Sequence, residues 1–363
     1  MVSLCMIVRD EAANLPRFLE AAQGCWDELC VVDTGSTDGT VALLEAAGAR
    51  VIERPWDDDF AAARNASLSL ATGDWILVLD PDELPGPGFA EALRAATAIS
   101  EIGALFISIR NLLEGNHHRD FQALRAFRRT PDVRFEHRIH EDAGRSVAEM
   151  LLTTGRVVAT VEPVVVHEGY LKDRAFHKRM RDRRILKRAI AERPTDLYLR
   201  FKLLEQARFW EDRRLWRVAA MSTIEALAYS PSMAQQLASA TWGGELLTLL
   251  AAGRSDEPAE QLALLESWGA SVGASPALTL RTAELMERVG RLDDARRAFR
   301  LCLDLRDDGS VQRTTTRPLL GLTRIAILGG ELDTARSHCA EALKLTPDDA
   351  EAQLAARTLG IAC

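Results

Sequence analysis

The chain is 363 residues long, 47% hydrophobic and 27% charged, with a formal net charge of −8. That length suits two domains, each able to bury a sizeable core. The acidic balance argues against sequence-independent binding of nucleic acid, which requires a basic surface to displace counterions.

Strand and helix signals alternate through the N-terminal part. Val2 to Val8 reads as a buried strand, and Asn14 to Gln23 as a helix with apolar residues at helical spacing. Leu29 to Val32 is a second strand, ending in Asp33-Thr34-Gly35-Ser36-Thr37-Asp38-Gly39, and Val41 to Ala47 follows as a helix. Ala49 to Glu53 is a third strand, Phe60 to Ala71 an alanine-rich helix, and Trp75 to Leu79 a fourth strand. This order predicts an α/β fold with a mostly parallel sheet, Rossmann-like, covered by helices on both faces. Ligands of such sheets bind beyond the carboxyl ends of strands. The polar clusters at 9–11, 33–38 and 80–83 all follow strands and are expected at one rim. Residues 103–170 are strand-rich but irregular, with Ala104 to Ile109, Leu124 to Phe127, Arg156 to Ala159 and Val164 to Val166 as the apolar runs.

Beyond Tyr170 helical periodicity takes over. A basic helix (Lys172, Arg174, Lys178, Arg179, Arg181, Arg183, Arg184) reads as a connector. The expected organisation is an α/β domain at 1–175, the connector at 176–194 and an all-helical domain at 195–363. In the last of these, Gly290-Arg291-Leu292-Asp293-Asp294-Ala295-Arg296 recurs as Gly330-Glu331-Leu332-Asp333-Thr334-Ala335-Arg336. Ala335, Cys339, Ala342 and Pro347 fall at the small–bulky–small–proline spacing of tetratricopeptide repeats, as do Ala219, Thr223, Ala226 and Pro231. Ala295, Phe299 and Cys302 fit the same frame. Small residues let paired helices approach, and the proline ends the second helix. The alternative is a plain helical bundle.

The six cysteines (Cys5, Cys25, Cys30, Cys302, Cys339, Cys363) lack metal-type spacing and read as buried or idle thiols of a reducing compartment. Arg9-Asp10-Glu11 interrupts the first apolar run, so no signal peptide is expected. No uncharged run reaches the about 20 residues of a membrane span. Cytoplasmic localisation is the expectation.

Chemistry concentrates in Gly73 to Glu83, where an apolar strand runs into Asp80-Pro81-Asp82-Glu83. Carboxylates so close repel unless a cation or full solvation compensates. Mg2+ and Mn2+ favour oxygen ligands and bind through one or two carboxylates plus substrate phosphates. Asp33, leaving the sheet rim, is placed to read a nucleobase or ribose, whereas Asp38 reads as a helix-start or turn residue.

Together, Cys5 to Leu15, the Asp33 to Thr40 turn, Trp56 to Asn65 and Asp80 to Glu83 resemble family 2 glycosyltransferases, in order and spacing across residues 3–83. The nearest subgroup includes lipopolysaccharide-core glucosyltransferase-like proteins and peptide S-glycosyltransferases with a helical repeat extension. The resemblance implies the A-type glycosyltransferase fold, an inverting mechanism, a nucleotide-sugar donor (a UDP-sugar) and Mg2+ or Mn2+. Carried over by position, Val8, Arg9 and Glu11 line the nucleotide pocket, Asp33 contacts uracil or ribose, Arg64 lies beside the nucleotide, and Asp80 and Asp82 hold the metal. Thr34 stands where a second acid is frequent, which leaves the donor base open.

Such transferases need one base to deprotonate the acceptor. Similar proteins carry it in the region of Phe135 to Asp142; Glu141 is the first candidate and Asp142 the second, with His140 either orienting the base or an ordinary loop residue. Val164 to Tyr170 ends a strand at His167, a candidate metal ligand and diphosphate contact. Lys172 and Arg174 could add positive charge there. A helical repeat offers an extended concave surface suited to a peptide or protein acceptor. The rival readings are a saccharide, lipid-linked glycan or small natural product as acceptor with the repeats used for homo-oligomerisation, a decayed non-catalytic scaffold, and a nucleotidyltransferase. Clustered acids argue against decay, and no glycine-rich phosphate cradle supports the last.

Overall fold

The computed structural model describes residues 1–112, 118–167, 175–305 and 312–361. Glu168, Gly169, Tyr170, Lys172, Arg174 and Cys363, singled out above, lie outside the described residues. The chain divides into two compact units, Met1–Ala189 and Ile190–Cys363.

The first unit carries one eight-stranded sheet. Its strands are β1 (Val2–Val8), β2 (Glu28–Asp33), β3 (Arg50–Glu53), β4 (Trp75–Val78), β5 (Glu83–Pro85), β6 (Ile102–Leu112), β7 (His118–Arg128) and β8 (Val157–His167), in spatial order β3-β2-β1-β4-β7-β6-β8-β5. The β3-β2-β1-β4 half is parallel, as the alternating pattern predicts. The other half is mixed: β7 runs antiparallel to both β4 and β6, while β6 and β8 are parallel. The two apolar runs at 156–159 and 164–166 form a single strand, β8, whose ladder to β6 shifts register opposite Ile107 to Ile109. Helices α1 (Leu15–Ala21), α2 (Thr40–Ala46) and α3 (Phe60–Leu70) alternate with β1 to β4, α4 (Phe89–Thr97) follows β5, α5 (Gly144–Thr154) follows β7, and α6 (Ala175–Glu192) follows β8.

Successive strand residues face opposite sides of a sheet, and β1 divides the core accordingly. Leu4, Met6 and Val8 join Phe18 of α1, Leu44 of α2 and Phe89 and Leu93 of α4. Cys5 joins Cys30, Ile76 and Val78 with Val147 and Met150 of α5 on the other face. At about 1.5–3 kcal/mol for each large side chain fully buried, these two layers set the strand ends rigidly in place. All five described cysteines are buried, and none of them forms a disulfide with another described residue.

Among its described residues the second unit is all helical, from α7 (Leu197–Phe209) and α8 (Arg213–Tyr229) to α12 (Pro276–Arg288), α13 (Leu292–Asp304), α14 (Arg317–Leu328), α15 (Leu332–Leu345) and α16 (Ala350–Leu359), with α9 to α11 between residues 231 and 269. The two self-matching segments are the turns α12–α13 and α14–α15. Gly290 (φ 82°) and Gly330 (φ 74°) take left-handed conformations there, which glycine adopts without steric cost. Ala295, Phe299 and Cys302 of one copy and Ala335, Cys339 and Ala342 of the other are all fully buried. Arg296 of the first copy bonds Glu331 of the second at 2.8 Å. In the 219–231 match, Ala219 and Thr223 are buried, α8 stops at Tyr229, and Pro231 opens the next helix. No helix among the described residues is long and apolar enough to cross a membrane.

Candidate active site

Parallel β1, β2 and β4 end side by side, with Val8 paired in register to Asp33. The loops that follow are fastened to each other. Thr34 N and Oγ1 both donate to Val8 O, at 2.9 and 3.0 Å. This gives Thr34 a structural task where an acid would have no proton to donate. Asp10, at φ 54°, accepts from Thr37 N at 2.8 Å, and Glu11 N donates to Thr40 Oγ1 at 2.7 Å. Asp38 acts as the turn residue expected of it, accepting from Thr40 N and Ala12 N.

Three of the nucleotide candidates therefore hold the loop frame. Val8 is buried in the core and reaches the rim only through its backbone, because strand alternation turns its side chain inward. Asp33 is 2% exposed and accepts from Gly35 N at 3.0 Å, Ser36 N at 2.9 Å and Ser36 Oγ, so its carboxylate closes its own turn. Glu11 Oε2 accepts from Asn14 Nδ2 at 2.6 Å. Arg9 is half exposed, 3.8 Å from Asp10.

A second cluster forms where β4 ends. Arg64 projects from α3, whose first turn is capped by Asp59 accepting from Ala62 N. Its buried guanidinium lies 2.7 Å from Asp80 through Nη2 and 3.3 Å from Glu141 through Nε, while Nη1 is buried with no hydrogen-bond partner. Burial disfavours the charged form of Asp80, but Arg64 and then Arg125 outweigh it and hold the carboxyl below the usual carboxylate range. Glu83 Oε2 accepts from Asp80 N at 3.0 Å and its other oxygen bonds Arg125, which fixes the turn. Burial lifts the Glu83 carboxyl above its ordinary value despite Arg125.

The third element is a pair. His167 Nε2 lies 3.3 Å from Asp82 Oδ2, and His167 Nδ1 lies 2.7 Å from Asn111 Oδ1. With the amide oxygen accepting, Nδ1 carries a proton and Nε2 is aimed at Asp82. Burial works against the imidazolium, but the bond to Asp82 and the surrounding carboxylates raise its pKa. Sheet register makes this arrangement: His167 pairs with Glu83 on one side and with Asn111 on the other.

Among the described residues, no three His, Cys, Asp or Glu side chains form a ready-made ligand set. Asp80, expected beside Asp82 and His167, has one oxygen committed to Arg64, which leaves Asp82 and His167 as the facing pair. That pair fits a divalent cation: a carboxylate oxygen and an imidazole nitrogen whose other nitrogen is anchored. Asp142 is exposed, with its backbone paired to Glu136. His140 is exposed with a left-handed backbone. Asn111, Arg125 and the anchoring role of Glu83 escape a reading of the sequence, since only β6, β7 and β8 pairing brings them to the site.

Comparison with known proteins agrees with the resemblance. Residues 3–142 match the model for glycosyl transferase family 2. A TPR repeat-containing protein of Synechococcus elongatus is 42% identical over 207 residues, 56% of this chain and 51% of that one. An uncharacterized glycosyltransferase of Rickettsia felis is 40% identical over 82 residues, 23% of this chain and 29% of that one. The prophage-derived glycosyltransferase SunS of Bacillus subtilis is 25% identical over 142 residues, 38% of this chain and 33% of that one. The chain thus spans about half the length of the first relative and about a third or less of the others. Among solved structures, glucosyl-3-phosphoglycerate synthase from Mycobacterium tuberculosis in complex with Mn2+ and UDP-glucose aligns with TM-score 0.35 at 18% identity, covering 51% of this chain and 77% of that one.

Proposed function

We propose that the protein is an inverting transferase that moves a sugar from a UDP-sugar to an acceptor with the help of Mg2+ or Mn2+, a reading supported by the match of residues 3–142 to the model for glycosyl transferase family 2. One observation carries this reading: Arg64 joins Asp80 to Glu141 on the rim that also holds the Asp82–His167 pair. Asp82 and His167 would hold the dication, and donor phosphates would complete its shell. When bound, the ion stabilises charge developing on the departing nucleoside diphosphate.

The chain's own groups do the rest. Asn111 orients His167, and Glu83 pins the backbone of Asp80. Arg64 holds the Glu141 carboxylate in place, so that it can take the acceptor's proton as the acceptor attacks the face of the anomeric carbon opposite the leaving group. Asp33, Arg9 and Glu11 frame the nucleotide side. The acceptor is a peptide or protein side chain, a reading supported by the helical unit, because helical arrays offer extended surfaces to peptides.

The test is a thermal-shift screen of nucleotide sugars with Mg2+ or Mn2+, since a ligand that binds only the folded state raises stability by mass action. A UDP-sugar should raise Tm only when the dication is present. Stabilisation by none of the nucleotide sugars would sink the donor reading.

A further inference from the structure

The loop that carries Glu141 includes backbone conformations that cost energy. His137 (φ 69°) and His140 (φ 54°) are both left-handed, a state that residues with a Cβ keep only where their surroundings enforce it. The neck of the loop is closed by Glu136 and Asp142, each donating its N–H to the other's carbonyl, at 2.9 and 3.1 Å. Glu141 itself is tied to Arg64 at 3.3 Å, a longer contact than the 2.7 Å that the same guanidinium makes to Asp80. Where the Glu141 carboxylate stands therefore depends on how the backbone of its loop is held.

Helix α3 supplies the hold. Phe60 N donates to Arg138 O at 2.8 Å, and Asp59, the N-cap of α3, pairs with the Arg138 guanidinium at 3.1 Å. Asn65, the residue after Arg64, takes both backbone groups of Phe135: its Nδ2 donates to Phe135 O at 2.9 Å, and its Oδ1 accepts from Phe135 N at 2.8 Å. A side-chain amide presents a donor beside an acceptor, so it can pair with one residue much as a neighbouring strand would. A carboxylate of the same shape lacks the donor. The ring of Phe135 packs 6.3 Å from that of Phe127 on β7, and the next residue along is Glu136, at the neck. A line of contacts thus runs from α3 to the candidate base: Asn65 fixes Phe135, and the Glu136–Asp142 pair fixes the far end of the loop, beside Glu141. Arg64 on the same helix bonds Asp80, so one rigid element references both the base loop and the donor rim.

We propose that Asn65 is a positioning residue of the transfer reaction, acting through Glu141 by clamping the loop that carries it. The inference rests on the transferase reading and on Glu141 as the base, while the clamp itself can be measured without either. Asn65→Leu removes both bonds to Phe135 without adding charge, and Asn65→Ala does the same with a smaller side chain should the leucine variant not fold. In full-length protein, the rate of UDP release at saturating UDP-sugar and Mg2+ should fall about tenfold to a hundredfold, the loss expected when a reacting group is displaced by about 1 Å, with the donor KM unchanged. In a Glu141→Gln background the same substitution should lower the rate no further, a result that a general structural defect would not give. The proposal is overturned if the variant turns over as fast as the parent, if the donor KM rises in step with the loss, or if the loss is the same in both backgrounds. Should the parent release UDP from no nucleotide sugar, the transferase reading fails, and amide hydrogen exchange of residues 133–142 decides the clamp: faster exchange in the Asn65 variant upholds it, and equal exchange overturns it.

Discussion

Arg64 and Asp80 form a 2.7 Å ion pair in which the arginine is almost wholly buried and the aspartate keeps about a third of its side chain in solvent (4% and 32% exposed). The same guanidinium reaches Glu141, so one cation neutralises two acids from segments far apart in sequence. Arg64→Met would take away the bonded counter-charge of both and leave Asp80 with Arg125 alone among the nearby arginines. Removing one partner of a buried pair costs about 3–5 kcal/mol, and the partial solvation of Asp80 places the expected loss near about 3 kcal/mol. Urea unfolding should show a lower midpoint with an unchanged slope, since only stability is altered. A midpoint equal to that of the parent would mean solvent already screens the pair.

Glu141 and Asp142 are adjacent but differently placed. Glu141 is held by Arg64 and is 17% exposed, whereas Asp142 is exposed and crowded against Gly144, where an added Cβ would come within 2.8 Å of its Oδ2. Glu141→Gln should therefore lower sugar transfer on the order of 10²–10⁴-fold, and Asp142→Asn far less. The rate of UDP release from the donor, compared across the two variants at saturating donor, reads the difference. A larger loss in Asp142→Asn would transfer the role of base to Asp142.

Asn111 touches His167 and not the facing Asp82 oxygen. Groups that orient a ligating imidazole typically contribute 10–100-fold to metal affinity. Asn111→Leu should weaken Mn2+ binding by about that factor, measured by electron paramagnetic resonance titration of free Mn2+, without removing either ligand. His167→Ala should weaken it further, and adding Asn111→Leu to that variant should then change nothing more.

At the opposite end of the strands, Glu28 latches the sheet. It accepts from Ser3 Oγ at 2.5 Å, Thr72 N at 2.5 Å, Thr72 Oγ1 at 2.9 Å and Gly73 N at 3.0 Å. Burial alone would raise this carboxyl, but the bonds from Ser3, Thr72 and Gly73 outweigh it and hold it below the usual carboxylate range. In acid the unfolded chain therefore takes up this proton before the folded one does. The stabilisation is complete above the ordinary glutamate value of about 4.3 and is lost as pH falls through the lower folded value. Glu28→Gln should reduce stability at neutral pH by about 1–3 kcal/mol and flatten that part of the acid limb. Urea midpoints at neutral pH and near pH 4 give both quantities.

The contrast between Glu28 and Arg64 also explains what the sequence reveals. β1 is legible as Val2–Val8 because a strand buried on both faces is a continuous apolar run, and the Asp80-Pro81-Asp82 acids are legible because they follow another such run directly. The tie between Arg64 and Glu141 spans 77 residues and leaves no local trace. Asn111 is likewise an unremarkable polar residue until β6 pairs with β8. Glu162 and Pro163 make one strand look like two, because a charge and a missing N–H are ordinary signs of a break. Helix α5 is hidden in a region whose apolar runs suggest strands, although Ser146, Val147 and Met150 bury one face of it. Asp33 shows the limit of motif reading: its place at the rim is plain from the sequence, but the donors of its own turn claim its carboxylate.

The helical unit offers a test of close packing. A Cβ at Gly321 on α14 would lie 2.3 Å from Phe299 Cζ and within 2.6 Å of two further ring atoms, and Phe299 on α13 is fully buried. Replacing a glycine in a helix interior by alanine ordinarily gains about 1 kcal/mol. Here the added methyl meets the end of a ring with no room to retreat, and overpacking of this kind costs about 1–3 kcal/mol. Gly321→Ala should therefore destabilise the unit in spite of its better helix propensity. In a Phe299→Leu background the obstructing ring is gone, so the same change should cost less or become favourable. A double-mutant cycle by urea unfolding measures that coupling. Equal effects of Gly321→Ala in both backgrounds would show that the ring does not set the α13–α14 approach.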